Sequence, residues 1–362
     1  MDRACGRVRG PVVTSRGPAS TPLRHVDQLV DRGLVDAAEA DALRDVEARF
    51  AIAVTPHVAR RLDEGASGLH AQFVPTRAEL RFTPDEQPDP IGDHVHSPLP
   101  GIVHRYPDRV LLKPVHVCPV YCRFCFRREQ VGPSGLHLRP SDLQAALDWI
   151  AGQDGVHEVI LTGGDPLVLS SDRLSRLVSA LADIPHVDVL RIHTRVPVVA
   201  PERVTPALAA VLRHPRLATW VGVHVNHPDE LDPMANQALA TLVDHGIPLI
   251  SQTVLLKGVN DDPDTLTRLF RALVRQRVKP YYLHHGDLAR GTAHFRTSLS
   301  HGRALVDQLR GRLSGLCQPT YVLDIPGGHG KVPAAAAWIE SAGEGAWTVR
   351  DWQGRTHTYS SA

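Results

Sequence analysis

Three cysteines share one short segment, Cys118-Pro-Val-Tyr-Cys122-Arg-Phe-Cys125, with the spacing Cys-x3-Cys-x2-Cys. The chain has 5 cysteines in all. The other two, Cys5 and Cys317, lie far off in sequence, so the set reads as a metal site and not as a disulfide framework. Three thiolates on one loop can ligate three irons of a [4Fe–4S] cube and leave the fourth iron open to a small molecule. The competing reading is structural zinc. Zinc closes its shell with four ligands, usually in two separated pairs, and the nearest fourth donor, His116, has an awkward reach from its strand.

Two glycine-rich turns carry further chemistry. In Leu161-Thr-Gly163-Gly164-Asp165-Pro the glycines would let the backbone come close to a ligand, and Asp165 suits an ammonium group. Gly-Gly-Asp-Pro is by itself an ordinary turn signal. In Asp324-Ile-Pro326-Gly327-Gly328-His329-Gly330-Lys331 no Ser or Thr follows the lysine, so this is not a P-loop. A phosphate cradle, a surface turn, and a lysine placed to form a Schiff base with pyridoxal phosphate (PLP) remain as readings.

The elements that must position these residues follow from periodicity. Short apolar runs at 110–117, 158–162, 187–193, 219–225, 248–255, 280–284 and 320–325 read as strands. Helical patterns lie between them at 141–151, 172–181, 205–212, 236–245, 262–274 and 301–313. Such alternation predicts a parallel sheet with right-handed crossovers, and six or seven units suggest a barrel, open or closed. In a barrel the active site lies at the C-terminal strand ends, where the cysteine loop, Gly163 to Asp165 and the Lys331 loop all fall. The predicted division is a disordered stretch at 1–20, a helical region with a Pro-rich irregular connector (82–107) over 21–108, the barrel over 109–333, and a tail over 334–362.

Lys and Arg number 40 against 39 Asp and Glu, for a formal net charge of +1. Nothing in that balance points to nucleic acid or an anionic membrane as partner. No run of about 18 apolar residues is present, so no spanning helix is expected. Residues 1–17 lack the apolar stretch of a secretory signal. A reducing, cytoplasmic setting is inferred.

On the cysteine triad and the Gly163-Gly164-Asp165 strip, the chain resembles the radical S-adenosylmethionine (SAM) superfamily. The resemblance implies a cluster whose open iron binds SAM, and a glycine strip with Asp165 facing the SAM amino group. On the Lys331 loop and on His96-Ser-Pro-Leu-Pro-Gly-Ile-Val-His-Arg105-Tyr106-Pro107-Asp108-Arg109 it is similar to the lysine 2,3-aminomutases, over about residues 51–333. That likeness implies an α/β fold, a partial (β/α)6-type radical SAM barrel with an N-terminal helical extension and a short C-terminal tail. It implies three cofactors: a [4Fe–4S] cluster on Cys118, Cys122 and Cys125, SAM, and PLP on Lys331. Arg109 would pair with the PLP phosphate, with Tyr106 nearby, and Gln252 would line the SAM site. Arg127 would bind the substrate carboxylate, and Asp287 with Asp324 its side-chain ammonium. His329 stands where the family loop has glycine. The implied reaction is a 2,3-amino shift on L-lysine, fed by a cellular one-electron reductant. Ornithine, arginine or glutamate as substrate, and a PLP-independent radical SAM modifying enzyme, are the alternatives. The short form resembles the branch that makes (R)-β-lysine for elongation factor P. Longer members bind zinc through a C-terminal cysteine cluster; this sequence has no cysteine after Cys317, so that site is not expected and homo-oligomerisation is left open.

Overall fold

The computed structural model describes residues 21–132, 137–343 and 346–360. The stretch predicted as disordered, 1–20, lies outside them. Nine strands form one sheet in chain order: β1 (Ile102–Tyr106), β2 (Arg109–Val115), β3 (Glu158–Gly163), β4 (Val189–Thr194), β5 (Ala218–His224), β6 (Leu249–Val254), β7 (Val278–His284), β8 (Thr320–Asp324) and β9 (Lys331–Pro333). From β2 to β8 every neighbouring pair is parallel. The outermost strands, β1 and β9, run antiparallel to their neighbours. Six crossovers link the seven parallel strands, as the alternation of apolar runs and helical patterns requires.

Four crossover helices, Pro140–Ala151, Pro206–Leu212, Pro233–Asp244 and Pro263–Arg275, begin on proline. Proline suits a first helical position because its fixed φ is helical and its missing N–H has no partner there anyway. Asp262 caps the last of them by accepting from the amides of Asp264 and Thr265. These helices bury Leu, Ala and Phe against the sheet, among them Leu147, Leu239, Leu269 and Phe270. The strands answer with Val, Leu and Ile, such as Val159, Leu161, Leu190 and Val221. The outcome is an open, curled parallel sheet.

The N-terminal region is helical, with Val26–Asp31, Ala40–Arg49, Pro56–Asp63 and Ser67–Phe73. The connector departs from expectation in one respect, because it contains β1. Three further strands, β10 (Ile339–Gly343), β11 (Ala346–Arg350) and β12 (Thr356–Ser360), make a separate antiparallel sheet of the tail. Arg350 ties that sheet to the helix before β8 through Asp307 at 2.8 Å.

Candidate active site

One cavity of about 440 Å³ is lined by residues of every strand from β1 to β9, the cysteine loop included. That volume lies in the range of small-molecule sites. It is not confined to the C-terminal strand ends. Arg109 opens β2 and Cys118 follows its far end, so at about 3.3 Å per residue the strand between them is roughly 20 Å long.

Cys118, Cys122 and Cys125 all face this cavity. Among the described residues no three His, Cys, Asp or Glu side chains converge on a single metal ion. Such an ion draws its ligands to one point, whereas a four-iron cube takes each thiolate at a separate corner. An all-sulfur donor set suits iron–sulfur chemistry, and the residues present fit that group. Burial pushes the Cys125 thiol up to about 11 and Cys118 well above its usual value, with Asp165 adding to the latter. Burial also raises Cys122, opposed there by the guanidinium of Arg195. Arg195 Nη1 donates to Cys122 Sγ at 2.7 Å.

Gly163 and Gly164 line the cavity, yet what makes glycine obligatory there is neighbouring backbone. Gly163 sits at φ +106, and a Cβ on it would lie 2.7 Å from Val115 O. One on Gly164 would lie 2.3 Å from Val117 O. The end of β3 is thus pressed onto the residues leading into the cysteine loop, with the Gly164 amide donating to Val115 O at 2.6 Å. Asp165 is buried and its oxygens are already engaged. They accept from Thr194 Oγ1 at 2.7 and 3.0 Å, from the Arg195 amide at 2.7 Å and from the Leu167 amide at 3.0 Å. Burial nevertheless raises its pKa. In this structure Asp165 ties the ends of β3 and β4 together, and its carboxylate has little acceptor capacity left for an outside ammonium.

The second group of residues gathers at β7, β8 and β9. Asp324 and Lys331 are cross-strand partners in the β8–β9 pairing, and Lys331 Nζ is ion-paired with Asp324. His284 Nδ1 stands 3.5 Å from the other Asp324 oxygen. Burial alone would raise Asp324, but His284 and Lys331 hold it at about 2. Asp287 lines the same cavity, and burial together with the charge of Asp324 pushes it up to about 7. The Lys331 amide donates to Tyr106 Oη at 2.8 Å, and Arg109 lies 3.8 Å over the Tyr106 ring. Arg109 also pairs with Asp108 at 2.6 Å. Lys331, Tyr106 and Arg109 thus come together along one edge of the cavity, a set that fits a carbonyl-bearing phosphate ester.

In the loop before Lys331, Gly327, Gly328 and Gly330 have φ of +84, +90 and +90. His329 is not among the positive-φ residues. It therefore occupies the one position of the four that needs no glycine, and the loop geometry is kept. The connector clamps this loop from outside: His96 Nε2 is hydrogen-bonded to Gly328 O at 2.8 Å.

Arg127 is buried, with Nε 2.9 Å from Asp93 Oδ2. Asp93, buried itself, also faces Arg105 at 3.5 Å and Lys113 at 3.9 Å. Nothing in its connector segment marked it out. Arg128 is a structural residue: with Arg123 it closes on the buried carboxylate of Glu79. Gln252 and His224 line the cavity side by side on paired strands. His193 does so too, with its Nε2 buried and without a hydrogen-bond partner. The sequence signal that could have found His193 is its place near the end of an apolar strand.

The curled parallel sheet with a three-cysteine loop at its first parallel strand defines a class, and the comparisons name it. The sequence pattern of the Radical SAM superfamily matches residues 112–270, and that of lysine-2,3-aminomutase matches residues 306–362. The chain is 39% identical over 313 residues to the L-lysine 2,3-aminomutase of Clostridium subterminale, covering 85% of this chain and 74% of that one. It is 40% identical over 315 residues to the enzyme of that name from Methanococcus maripaludis, covering 86% and 72%. The glutamate 2,3-aminomutase of Clostridioides difficile is 34% identical over 342 residues, covering 93% and 80%. The chain belongs to the lysine 2,3-aminomutase family of radical SAM enzymes. Among the described residues no helix is long and apolar enough to cross a membrane.

Proposed function

We propose that this protein converts L-lysine to β-lysine by moving the amino group from carbon 2 to carbon 3. The observation that carries this reading is the make-up of one cavity: Cys118, Cys122, Cys125, Lys331, Arg127, Asp287 and Asp324 all line it. When bound, the cluster with SAM would supply a carbon radical able to abstract hydrogen, and PLP would supply a π-system able to stabilise the migrating nitrogen. Cys118, Cys122 and Cys125 would hold the cluster, Gln252 and the Gly163–Gly164 strip would line the SAM site, and Lys331, Tyr106 and Arg109 would hold PLP.

The remaining work belongs to the chain's own side chains. Arg127, with Nε and Nη2 both 2.9 Å from Asp93 Oδ2, has its Nη1 edge left for the substrate carboxylate. Asp287 and Asp324 offer negative charge to the side-chain ammonium. The Nζ of Lys331 is ion-paired with Asp324 Oδ1. With the substrate held at both ends, its carbon 3 is fixed in the cavity, and the enclosing wall keeps water from it. Two acids at one end suit a cationic side chain and repel that of glutamate. A one-electron reductant and a cytoplasmic location complete the proposal.

The test is anaerobic. The protein is reconstituted with iron, sulfide and PLP, then given SAM, dithionite and L-lysine. β-Lysine is the expected product, with its enantiomer read by chiral chromatography. Deoxyadenosine without β-lysine would keep the radical chemistry and move the substrate to ornithine, arginine or glutamate. Turnover without PLP would overturn the aminomutase reading.

A further inference from the structure

Arg195 follows β4 directly and belongs to none of the motifs in the sequence. Its guanidinium is buried and held in one place. Nη2 donates to Gln72 Oε1 at 2.5 Å and to Glu230 Oε2 at 2.7 Å. Its plane lies 4.6 Å from the Phe73 ring. The clamp is itself anchored, since Glu230 Oε1 accepts from the amides of Asn226 at 2.8 Å and His227 at 2.9 Å. Arg195 and Glu230 already make a neutral buried pair, and one guanidinium edge would serve that purpose. The other edge, Nη1, is aimed at Cys122 Sγ, 2.7 Å away.

We propose that Arg195 is a positioning residue for the cluster electron: clamped by Glu230 and Gln72, it sets the reduction potential of the iron–sulfur cluster by donating to the Cys122 sulfur. The proposal rests on the assignment of that cluster to Cys118, Cys122 and Cys125. Reduction adds one electron from an external one-electron donor, and the added negative charge spreads onto the sulfurs. A donor and a fixed positive charge at one sulfur favour the reduced form and raise the potential, because cluster potentials follow net charge and hydrogen bonds to sulfur. Glu230 acts in the opposite sense, since its carboxylate offsets the charge of Arg195. Together they tune the ease with which the cluster accepts its electron.

The experiment uses the full chain reconstituted anaerobically with iron and sulfide, without SAM, PLP or substrate. Iron and sulfide are counted, and the midpoint is read by a redox titration followed by electron paramagnetic resonance. Arg195→Gln is expected to keep its iron and to reduce roughly tenfold less favourably, a midpoint about 59 mV more negative for one electron. Arg195→Lys, which keeps the charge, is expected to shift by less. Glu230→Gln, which removes the charge and keeps one of the two acceptor oxygens, is expected to shift the midpoint the other way. A merely structural role predicts no such pair of opposite signs. Full iron with an unmoved midpoint in Arg195→Gln overturns the proposal, as does an equal shift in Arg195→Lys. Should Arg195→Gln fail to hold iron, Glu230→Gln decides alone: a positive shift supports the proposal and none overturns it. A wild-type protein that binds no cluster sinks the cluster assignment and this proposal together, whereas a loaded cluster with unmoved midpoints sinks this proposal only.

Discussion

The two walls of the cavity are built on opposite terms. On the cysteine side, Asp165 has its hydrogen bonds to Thr194, Arg195 and Leu167, and Arg195 is clamped by Glu230 and Gln72. Behind them Glu79 is closed by Arg123 and Arg128. On the lysine side, Asp287 is an acid pushed to about 7, and the facing His193 has a buried Nε2 without a hydrogen-bond partner. Both walls hold a buried nitrogen without a partner, Arg195 Nε and Arg128 Nε on the first and His193 Nε2 on the second, so the difference lies in the acids: paired or hydrogen-bonded on the first, raised at Asp287 on the second. The first wall is fixed by its own ion pairs and hydrogen bonds; the second keeps an acid for a cation to meet.

The largest test of this contrast is Cys122→Ser. It removes one of the three cysteines proposed to hold the cluster, and we expect loss of the cluster and of all SAM cleavage, read as iron content and deoxyadenosine. Lys331→Ala should act on the second wall alone. The protein should lose tightly held PLP, seen as loss of its absorbance near about 420 nm, while its iron stays. Asp287→Asn should cost about 1.5–3 kcal/mol of lysine binding, roughly ten- to hundredfold in kcat/KM, and leave SAM cleavage without substrate unchanged. An equal loss of both would dissolve the distinction between the walls.

Acidity gives a graded version of the same test. A carboxyl raised to about 7 carries its charge above that pH and loses it as the pH falls. Uptake of the lysine ammonium should therefore weaken on acidification through pH 7, by roughly tenfold per unit where Asp287 alone controls it. Asp287→Asn should flatten that limb of the kcat/KM profile. The smallest expected effect is that of Gly328→Ala. Its φ of +90 and a Cβ 2.8 Å from His96 Nε2 should cost about 1–2 kcal/mol, seen as a lower thermal midpoint with cluster binding intact.

The parallel strands and their crossover helices were legible because each is a run of one period, buried on the faces the period predicts. The helix starts fall within three residues of the expected positions on either side: Pro233 and Leu299 come before 236 and 301, whereas Pro206 and Pro263 come one residue after 205 and 262. β1 was hidden among the prolines of the connector, where five residues with one paired neighbour leave a weak pattern. β10 and β12 were not legible either: all their residues are exposed, so no alternation of apolar and polar side chains is needed. The triad, Lys331, Arg127, Asp287 and Asp324 could be read from motifs, and all line one cavity. Asp93 and Arg195 could not, because each acts through a partner distant in sequence, and a single chain does not display such pairings.

The β8–β9 hairpin makes the catalytic site sensitive to counting. Asp324 and Lys331 face each other because six residues separate them in the turn 325–330. Side chains on a strand alternate between faces, so parity is what the turn conserves. An insertion of one residue that slid β9 along β8 would point Lys331 away from the cavity, although every residue of the motif remained. Composition in this loop can drift where the backbone does not demand glycine, as His329 illustrates. Its length has no such latitude in steps of one, and a single-residue indel here should inactivate the protein without unfolding it.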